Sequence, residues 1–367
     1  MAARITVGVP VYKGTEHVAA ALKSLQEQTF QDFEVIISVD GNDLATADAC
    51  RPFLSDARFR MVVQPERLDW FGNFNWLLQQ PLGEFFCYRQ HDDTTAPHFF
   101  EALLAVADSR PDAAAIYSDC QWSGGRTEIE SAPSIEGTTL ERLRQHIVEK
   151  HPVAVRGLIR REAVAQAGPV RGDEFRGLSE VFVWLAKVLR WGAFVRFPEP
   201  IYFRLDHRDN FHKQWFDWPE GKKRASWTTL YTGLLEATMP ACTTPEERLF
   251  FRQFILDRIA VVRPNQTYHY HATSPHASGA LMAECVERLA HEGNLHLLGA
   301  DEFSTILQAS AHFQTLQAEN ATLKERNSAF ESEIGWLRRS CPLKLAQAFR
   351  RIIGVARPSK RQGREKG

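Results

Sequence analysis

Three short polar clusters are the places where this chain could do chemistry: Pro10-Val11-Tyr12, Asp40-Gly41-Asn42 and His91-Asp92-Asp93. Each closes an apolar run of the kind that forms a buried strand. Together they bring carboxylate, imidazole and phenol groups to strand ends. Two of them also have a plain local reading: an Asp-Gly pair is a common turn, and two Asp ahead of Pro97 can cap a helix. A fourth cluster, Tyr268-His269-Tyr270-His271 with His276 nearby, has no carboxylate or cysteine partner at ligand spacing and reads as loop or surface. The six cysteines (50, 87, 120, 242, 285 and 341) show no C-x-x-C spacing, which argues against a zinc site or a disulfide framework and fits a reducing cytosol.

The elements that must position these clusters alternate in type. Residues 5–12, 33–40, 59–64, 84–90 and 113–122 read as strands. Helical patterns fall between them at 15–28, opened by a Thr cap signal, at 45–54, at 70–80 and after Pro97. Such a rhythm implies a mostly parallel sheet with helices on both faces. Ligands of such sheets lie beyond the carboxyl ends of the strands, so the three clusters are expected to converge. On what they converge is not legible in the residues themselves. A second block follows: a strand and short helix near 156–170, an apolar helix over 178–192, and a strand pair around a proline turn over 194–207. Trp184 and Trp191 on that helix read as core. Residues 220–300 are helical in pattern.

The last 65 residues differ in character. Phe313, Asn320, Asn327 and Ile334 share one heptad position, with Leu316, Leu323, Phe330 and Leu337 three residues later. This is the pattern of a short coiled coil, able to pair two copies of the chain, or of an amphipathic helix docked on its own domain. From 338 onward Lys and Arg interleave with Leu343, Leu345, Phe349, Ile352 and Ile353, and Glu365 is the one acid. A basic amphipathic helix of this kind suits an anionic membrane surface. Aromatic residues for base stacking are nearly absent there, and over the whole chain 44 Lys+Arg stand against 45 Asp+Glu, so no nucleic-acid partner is expected. No apolar run approaches the length of a membrane span, and the N-terminus lacks the pattern of a signal peptide.

Taken together, the clusters resemble the family 2 glycosyltransferases, inverting enzymes of the GT-A fold that use a nucleotide-sugar donor. The resemblance lies in VGVPVYKGTEHVAAALKSLQEQTFQDFEVIISVDG, in Gly72, Asn75 and Gly83-Glu84, in the HDD motif, and in 156–168 and 178–207; it covers roughly residues 4–207. It implies that Pro10, Val11 and Tyr12 wall the base and ribose, that Asp40 accepts a hydrogen bond from an imide N–H of the base, and that Arg67 and Asn73 reach the nucleotide. Asp92 and Asp93 would hold Mg²⁺ or Mn²⁺ against the diphosphate, with Gln90 where the family's first Asp contacts ribose. Glu180 stands where the family has its general base. Arg204 and His207, in Tyr202-Phe203-Arg204-Leu205-Asp206-His207, would brace the diphosphate. Trp215 and Trp218 follow directly, as lid or packing residues or as part of an acceptor loop.

The implied organisation is a GT-A domain over 1–215, Rossmann-like, with a mostly parallel central sheet. A helical extension follows over 216–302, then a coiled coil or amphipathic helix over 303–337 and a basic tail over 338–367. The expected activity is transfer of a sugar from a UDP, dTDP or GDP donor to a glycan or lipid-linked acceptor, in cell-surface polysaccharide or lipopolysaccharide synthesis. The expected place is the cytoplasm or the inner membrane face. Two other readings compete. A nucleotidyltransferase would need a Gly-rich basic loop where Pro10-Val11-Tyr12-Lys13-Gly14 stands. A non-catalytic scaffold would account for Gln90 and Ser179-Glu180, but not for Asp40, Asp92 and Asp93.

Overall fold

A computed structural model describes residues 3–149, 152–172, 180–207, 218–260 and 278–298. The coiled-coil pattern, the basic tail, the Tyr268–His276 cluster and Trp215 lie outside the described residues.

The strands are β1 (Ile5–Val11), β2 (Phe33–Val39), β3 (Phe59–Val63), β4 (Phe85–Tyr88), β5 (Thr94–Thr95), β6 (Ala113–Gly124), β7 (Ile129–Glu130), β8 (Leu158–Arg160) and β9 (Ala193–Asp206). They form one sheet in the order β3-β2-β1-β4-β8-β6-β9-β5, with β7 beside β6. Strands β1 to β4 are parallel to one another. Strand β8 is antiparallel to both β4 and β6, and β9 is parallel to β6. It follows that β1, β2, β3, β4, β6 and β9 all point one way, so their carboxyl ends share one edge. Every residue of β1 is buried, as its unbroken apolar run requires of a central parallel strand.

The helices are α1 (Val18–Gln26), α2 (Leu44–Cys50), α3 (Asp69–Leu78), α4 (Phe99–Ser109), α5 (Thr139–Glu149), α6 (Arg161–Ala167), α7 (Glu180–Leu189), α8 (Glu220–Thr238), α9 (Pro245–Ala260) and α10 (Ser278–His291). This is the α/β architecture expected from the alternating pattern. The core joins both faces of the sheet, from Ile5, Val35 and Phe86 to Phe182, Trp184 and Leu235. The five described cysteines are buried free thiols.

Three expectations are corrected. The stretch 194–207 is not a hairpin but one strand, because both its halves pair in parallel with β6. Between Ser118–Phe197 and Cys120–Tyr202, β9 spends five residues where β6 spends two. The excess is Pro198-Glu199-Pro200, whose prolines have no N–H to give to a ladder. Trp191 is not core: it follows the last turn of α7 and is 51% exposed. Helix α1 begins at Val18 behind His17, with no side-chain cap from Thr15; the Gly14 carbonyl takes the His17 and Val18 amides instead.

One feature of the register opens the sheet. Strand β4 stays beside β1 as far as the Gly8–Tyr88 pair, whereas β1 stays with β2 through Val11–Val39. The crevice formed where β1 and β4 part lies at the carboxyl edge, where open α/β sheets take their ligands.

Candidate active site

The three polar clusters do converge at that edge, at or just beyond the carboxyl ends of β1, β2 and β4. Of the first cluster, Pro10 and Val11 are buried in the sheet, and Tyr12 alone presents its side chain outward. The guanidinium carbon of Arg67 lies 3.2 Å from the Tyr12 ring centroid, a close cation–π contact. Arg67 also donates toward Asp40 Oδ2 at 3.2 Å and Asp69 Oδ1 at 3.1 Å. Asp40 is buried, and its Oδ1 accepts the Leu68 amide at 2.7 Å. The turn behind it passes through Gly41 and Asn42, both at positive φ, a conformation that Gly and Asn adopt at least cost. Asn73 is buried as well. Its amide donates to the Ser38 carbonyl at 3.0 Å, tying α3 to the end of β2, and its Oδ1 has no hydrogen-bond partner among the described residues.

After β4, neighbouring carboxylates part company. Asp92 Oδ2 lies 3.1 Å from His207 Nε2, at the end of β9. His17 stands beside His207, with ring centroids 4.9 Å apart. Burial works to raise the Asp92 carboxyl, but His91 and His207 outweigh it and hold it below its ordinary value. Neighbouring Asp93 goes the other way: burial first, and the like charge of Asp92 second, push its carboxyl up. Asp93 is almost wholly buried and accepts the Tyr202 hydroxyl at 2.9 Å and the Leu205 amide at 3.3 Å. Two adjacent acids are thus driven to different protonation behaviour by their surroundings. Asp92 keeps an ionised oxygen at the crevice, while the oxygens of Asp93 are spent in holding β9.

Other predicted residues take different places. Arg204 turns to Glu130 Oε2 at 2.6 Å, with its guanidinium 3.8 Å from the Trp122 ring. Glu180 is the first residue of α7 and is 2% exposed. Because α7 returns into β9 through a turn of three residues, its N-terminus stands at the same edge as the carboxyl ends of the strands. Trp184 is core, its indole donating to the Gly168 carbonyl, and Trp218 packs partly buried against the core.

Sequence reasoning missed Arg156, His17 and Arg89. Arg156, in the short turn Val153–Arg156, donates from Nε at 3.2 Å and Nη2 at 2.8 Å to Gln90 Oε1, with Asp93 at 3.7 Å. Arg89 is fully buried; it donates to the Thr95 hydroxyl at 3.2 Å and lies over the rings of Tyr202 and Phe99 at 4.8 and 5.3 Å. Arg156 opens the stretch 156–168 noted in the sequence without a role for its side chain, and only the fold brings both arginines here. Arg89 does interrupt an apolar strand run, the one signal available.

Among the described residues no group of three or more His, Cys, Asp and Glu is placed to hold a metal by itself. Asp92 with His207 is a pair of donors, which suits a hard cation that takes its remaining ligands from a bound phosphate and from water.

The model of glycosyl transferase family 2 matches residues 6–168. "Putative glycosyltransferase EpsH" of Bacillus subtilis is 28% identical over 109 residues, which is 29% of this chain and 31% of that protein, so the match spans about a third of the relative's length. Among solved structures, S. aureus TarS 1–349 in complex with UDP-GlcNAc is 14% identical, with a TM-score of 0.46 over 85% of this chain and 92% of that one. The mannosyltransferase PcManGT from Pyrobaculum calidifontis, in complex with GDP-Man and Mn²⁺, is 16% identical, with a TM-score of 0.49 over 97% and 89%. Residues 6–168, which carry Tyr12, Asp40, Asp92 and Asp93, are thus similar to glycosyl transferase family 2.

Proposed function

We propose that this protein is an inverting glycosyltransferase that moves a sugar from a UDP, dTDP or GDP donor to a hydroxyl of a glycan or lipid-linked acceptor. The observation that carries the reading is the convergence of Tyr12-Arg67-Asp40 and Asp92-His207 on one crevice at the carboxyl edge of the sheet. The first group suits a base: an aromatic face, a carboxylate acceptor for an imide N–H, and a guanidinium donor. The second suits a diphosphate, whose charge Mg²⁺ or Mn²⁺ held by Asp92 and His207 would neutralise. Asp93, Arg204 and Asn73 support the site from behind rather than touching the donor.

In the reaction, the acceptor oxygen forms a bond to the anomeric carbon while the bond from that carbon to the phosphate oxygen breaks. The nucleoside diphosphate leaves with the electron pair, from the opposite face, so configuration inverts. Glu180 takes the acceptor proton. The carboxylate at the start of α7 gains from the helix dipole in its ionised, proton-accepting form.

The heptad segment 303–337 and the basic tail 338–367 fit a dimer contact and an anionic membrane surface, which would bring the site to acceptors at the inner membrane face. Among the described residues, no helix is long and apolar enough to cross a membrane.

The test is the thermal midpoint of the protein with UDP, dTDP, GDP and CMP, with and without Mn²⁺. A ligand that binds only the native state raises the midpoint by mass action. A metal-dependent rise with one diphosphate supports the reading, and no rise with any of them overturns it. Glu180→Gln is expected to keep that rise and to lose transfer by roughly 10²–10⁴-fold. Transfer at the wild-type rate removes Glu180 from the reaction.

A further inference from the structure

Helix α5 grips α7 at both ends with two side chains one helical turn apart, His146 and Arg142. In the first turn of α7, His146 Nε2 lies 2.9 Å from the Phe182 carbonyl oxygen, and its ring stacks on the Phe182 ring with centroids 3.9 Å apart at 14°. At the other end, Arg142 Nε donates to the Leu189 carbonyl at 2.9 Å and Nη2 to the Arg190 carbonyl at 3.4 Å. The two contacts differ in kind. The last carbonyls of a helix have no partner within it, so Arg142 caps an end that needs capping. The Phe182 carbonyl stands in the first turn, where the helix supplies its own donor, and His146 takes the second lone pair. A carbonyl only accepts, so Nε2 carries the hydrogen. His146 is fully buried, and a polar ring in an apolar core is costly unless it is bonded, so this bond offsets the burial.

On another flank α7 is pressed by α8: Gly233 admits Val183 so closely that an added Cβ would lie 2.7 Å from Val183 Cγ2. Apolar packing of this kind is non-directional. The hydrogen bond from His146 selects one carbonyl and so fixes α7 along its axis. Glu180 is two residues before Phe182, in the same turn. A proton-accepting carboxylate works within about 2.6–3.2 Å of the hydroxyl it serves, and a displacement of about 1 Å can cost roughly 10²-fold in rate. Resting on the reading of Glu180 as the general base, we propose that His146 is a positioning residue for the transfer step. Its bond to Phe182 sets where the Glu180 carboxylate stands at the carboxyl edge, and Arg142 holds the other end of the same helix. His146 meets no substrate and takes no proton from one; it acts through α7.

The test compares His146→Phe with His146→Gln in the full chain. Phe keeps the ring stack and the apolar filling but loses the bond. Gln loses the ring but carries an N–H at about the reach of Nε2. The readout is release of nucleoside diphosphate from UDP-GlcNAc, UDP-glucose, dTDP-glucose and GDP-mannose, with Mn²⁺ and with membranes of the source cell as acceptor. On the donor that the wild type turns over fastest, His146→Phe should lower kcat by roughly 10–100-fold and leave the donor KM unchanged. His146→Gln should stay close to the wild type. In a Glu180→Gln background, His146→Phe should cost nothing further, because its effect runs through a carboxylate that is already gone. A His146→Phe variant with the wild-type kcat, a His146→Gln variant that loses as much as Phe does, or a loss that persists at full size without Glu180 each overturns the proposal while leaving Glu180 in its role. A Glu180→Gln variant that matches the wild type, or a wild type that releases nucleotide from none of the four donors, overturns the general base and the proposal together.

Discussion

Asp40 shows how one side chain can be both structural and selective. Its Oδ1 is spent on the Leu68 amide, so Oδ2, now facing Arg67, is the oxygen a base would reach. Asp40→Asn would set an amide –NH₂ against an imide N–H, donor against donor. Binding of UDP or dTDP is expected to fall by about 10-fold or more, the scale of a hydrogen bond to a charged group, while CMP, whose ring nitrogen accepts, should not lose. A titration of the variant with UDP and CMP checks both directions. Nearby Asp43 acts on the fold. It caps α2 by accepting the Thr46 amide, and it also accepts the Lys13 amide at 2.7 Å, bracing the loop that carries Tyr12. Burial works to raise its carboxyl, but the Thr46 and Lys13 bonds outweigh it and hold it below its usual 3.8. A lowered carboxylate contributes stability that is present above the unfolded value and lost as pH falls through the folded one. Asp43→Ala should cost about 1 kcal/mol at neutral pH, and the gap to wild type in urea denaturation should close as pH drops below about 4. A gap that persists unchanged at low pH would exclude the ionised cap.

At the scale of elements, the site depends on strand ends that are close together only because the strands between them pack without slack. Gly157 is the tightest such point: any side chain there collides with the backbone of β6, not with a flexible neighbour. Gly157→Ala is expected to destabilise the protein by about 1–3 kcal/mol, measured by urea unfolding, and to loosen the Arg156–Gln90 contact along with it. An unchanged midpoint would mean that β8 can move away from β6 at little cost. The long strand β9 is the other key element. Its proline-rich excess ends just before Tyr202, and the strand then runs on to bring Tyr202, Leu205 and His207 up to Asp93 and Asp92.

For the whole molecule, the sheet with its flanking helices is continued by α8, α9 and α10, with α8 packed on α7 and Gly233 pressed against Val183. The crevice as proposed is built from residues up to His207. A chain ending at residue 337 is therefore expected to show the same nucleotide-induced rise in midpoint as the full chain, and to lose its sedimentation with vesicles containing anionic lipid. Equal sedimentation of the two chains would remove the tail from membrane binding.

What the sequence by itself determined is the order of strands and helices through residue 124, the two-residue β5 apart, the helical character of the described stretches 220–260 and 278–298, and the identity of the three polar clusters. These are local matters: β-branched runs, helical spacing and turn residues act over a few positions, and each cluster directly follows its own strand. What only the tertiary structure decided is who meets whom. Asp92 with His207, Asp93 with Tyr202, Gln90 with Arg156 and Asp40 with Arg67 are pairs set by sheet order and register, not by any spacing along the chain. The same holds for β9. Its prolines read equally well as a turn or as an irregularity within a strand, and the partner on both sides of them, β6, made it one strand. The pair Asp92-Asp93 is the sharpest case: two identical neighbouring residues both lie against the end of β9, and imidazoles beside Asp92 and the Asp92 charge beside Asp93 gave them different work.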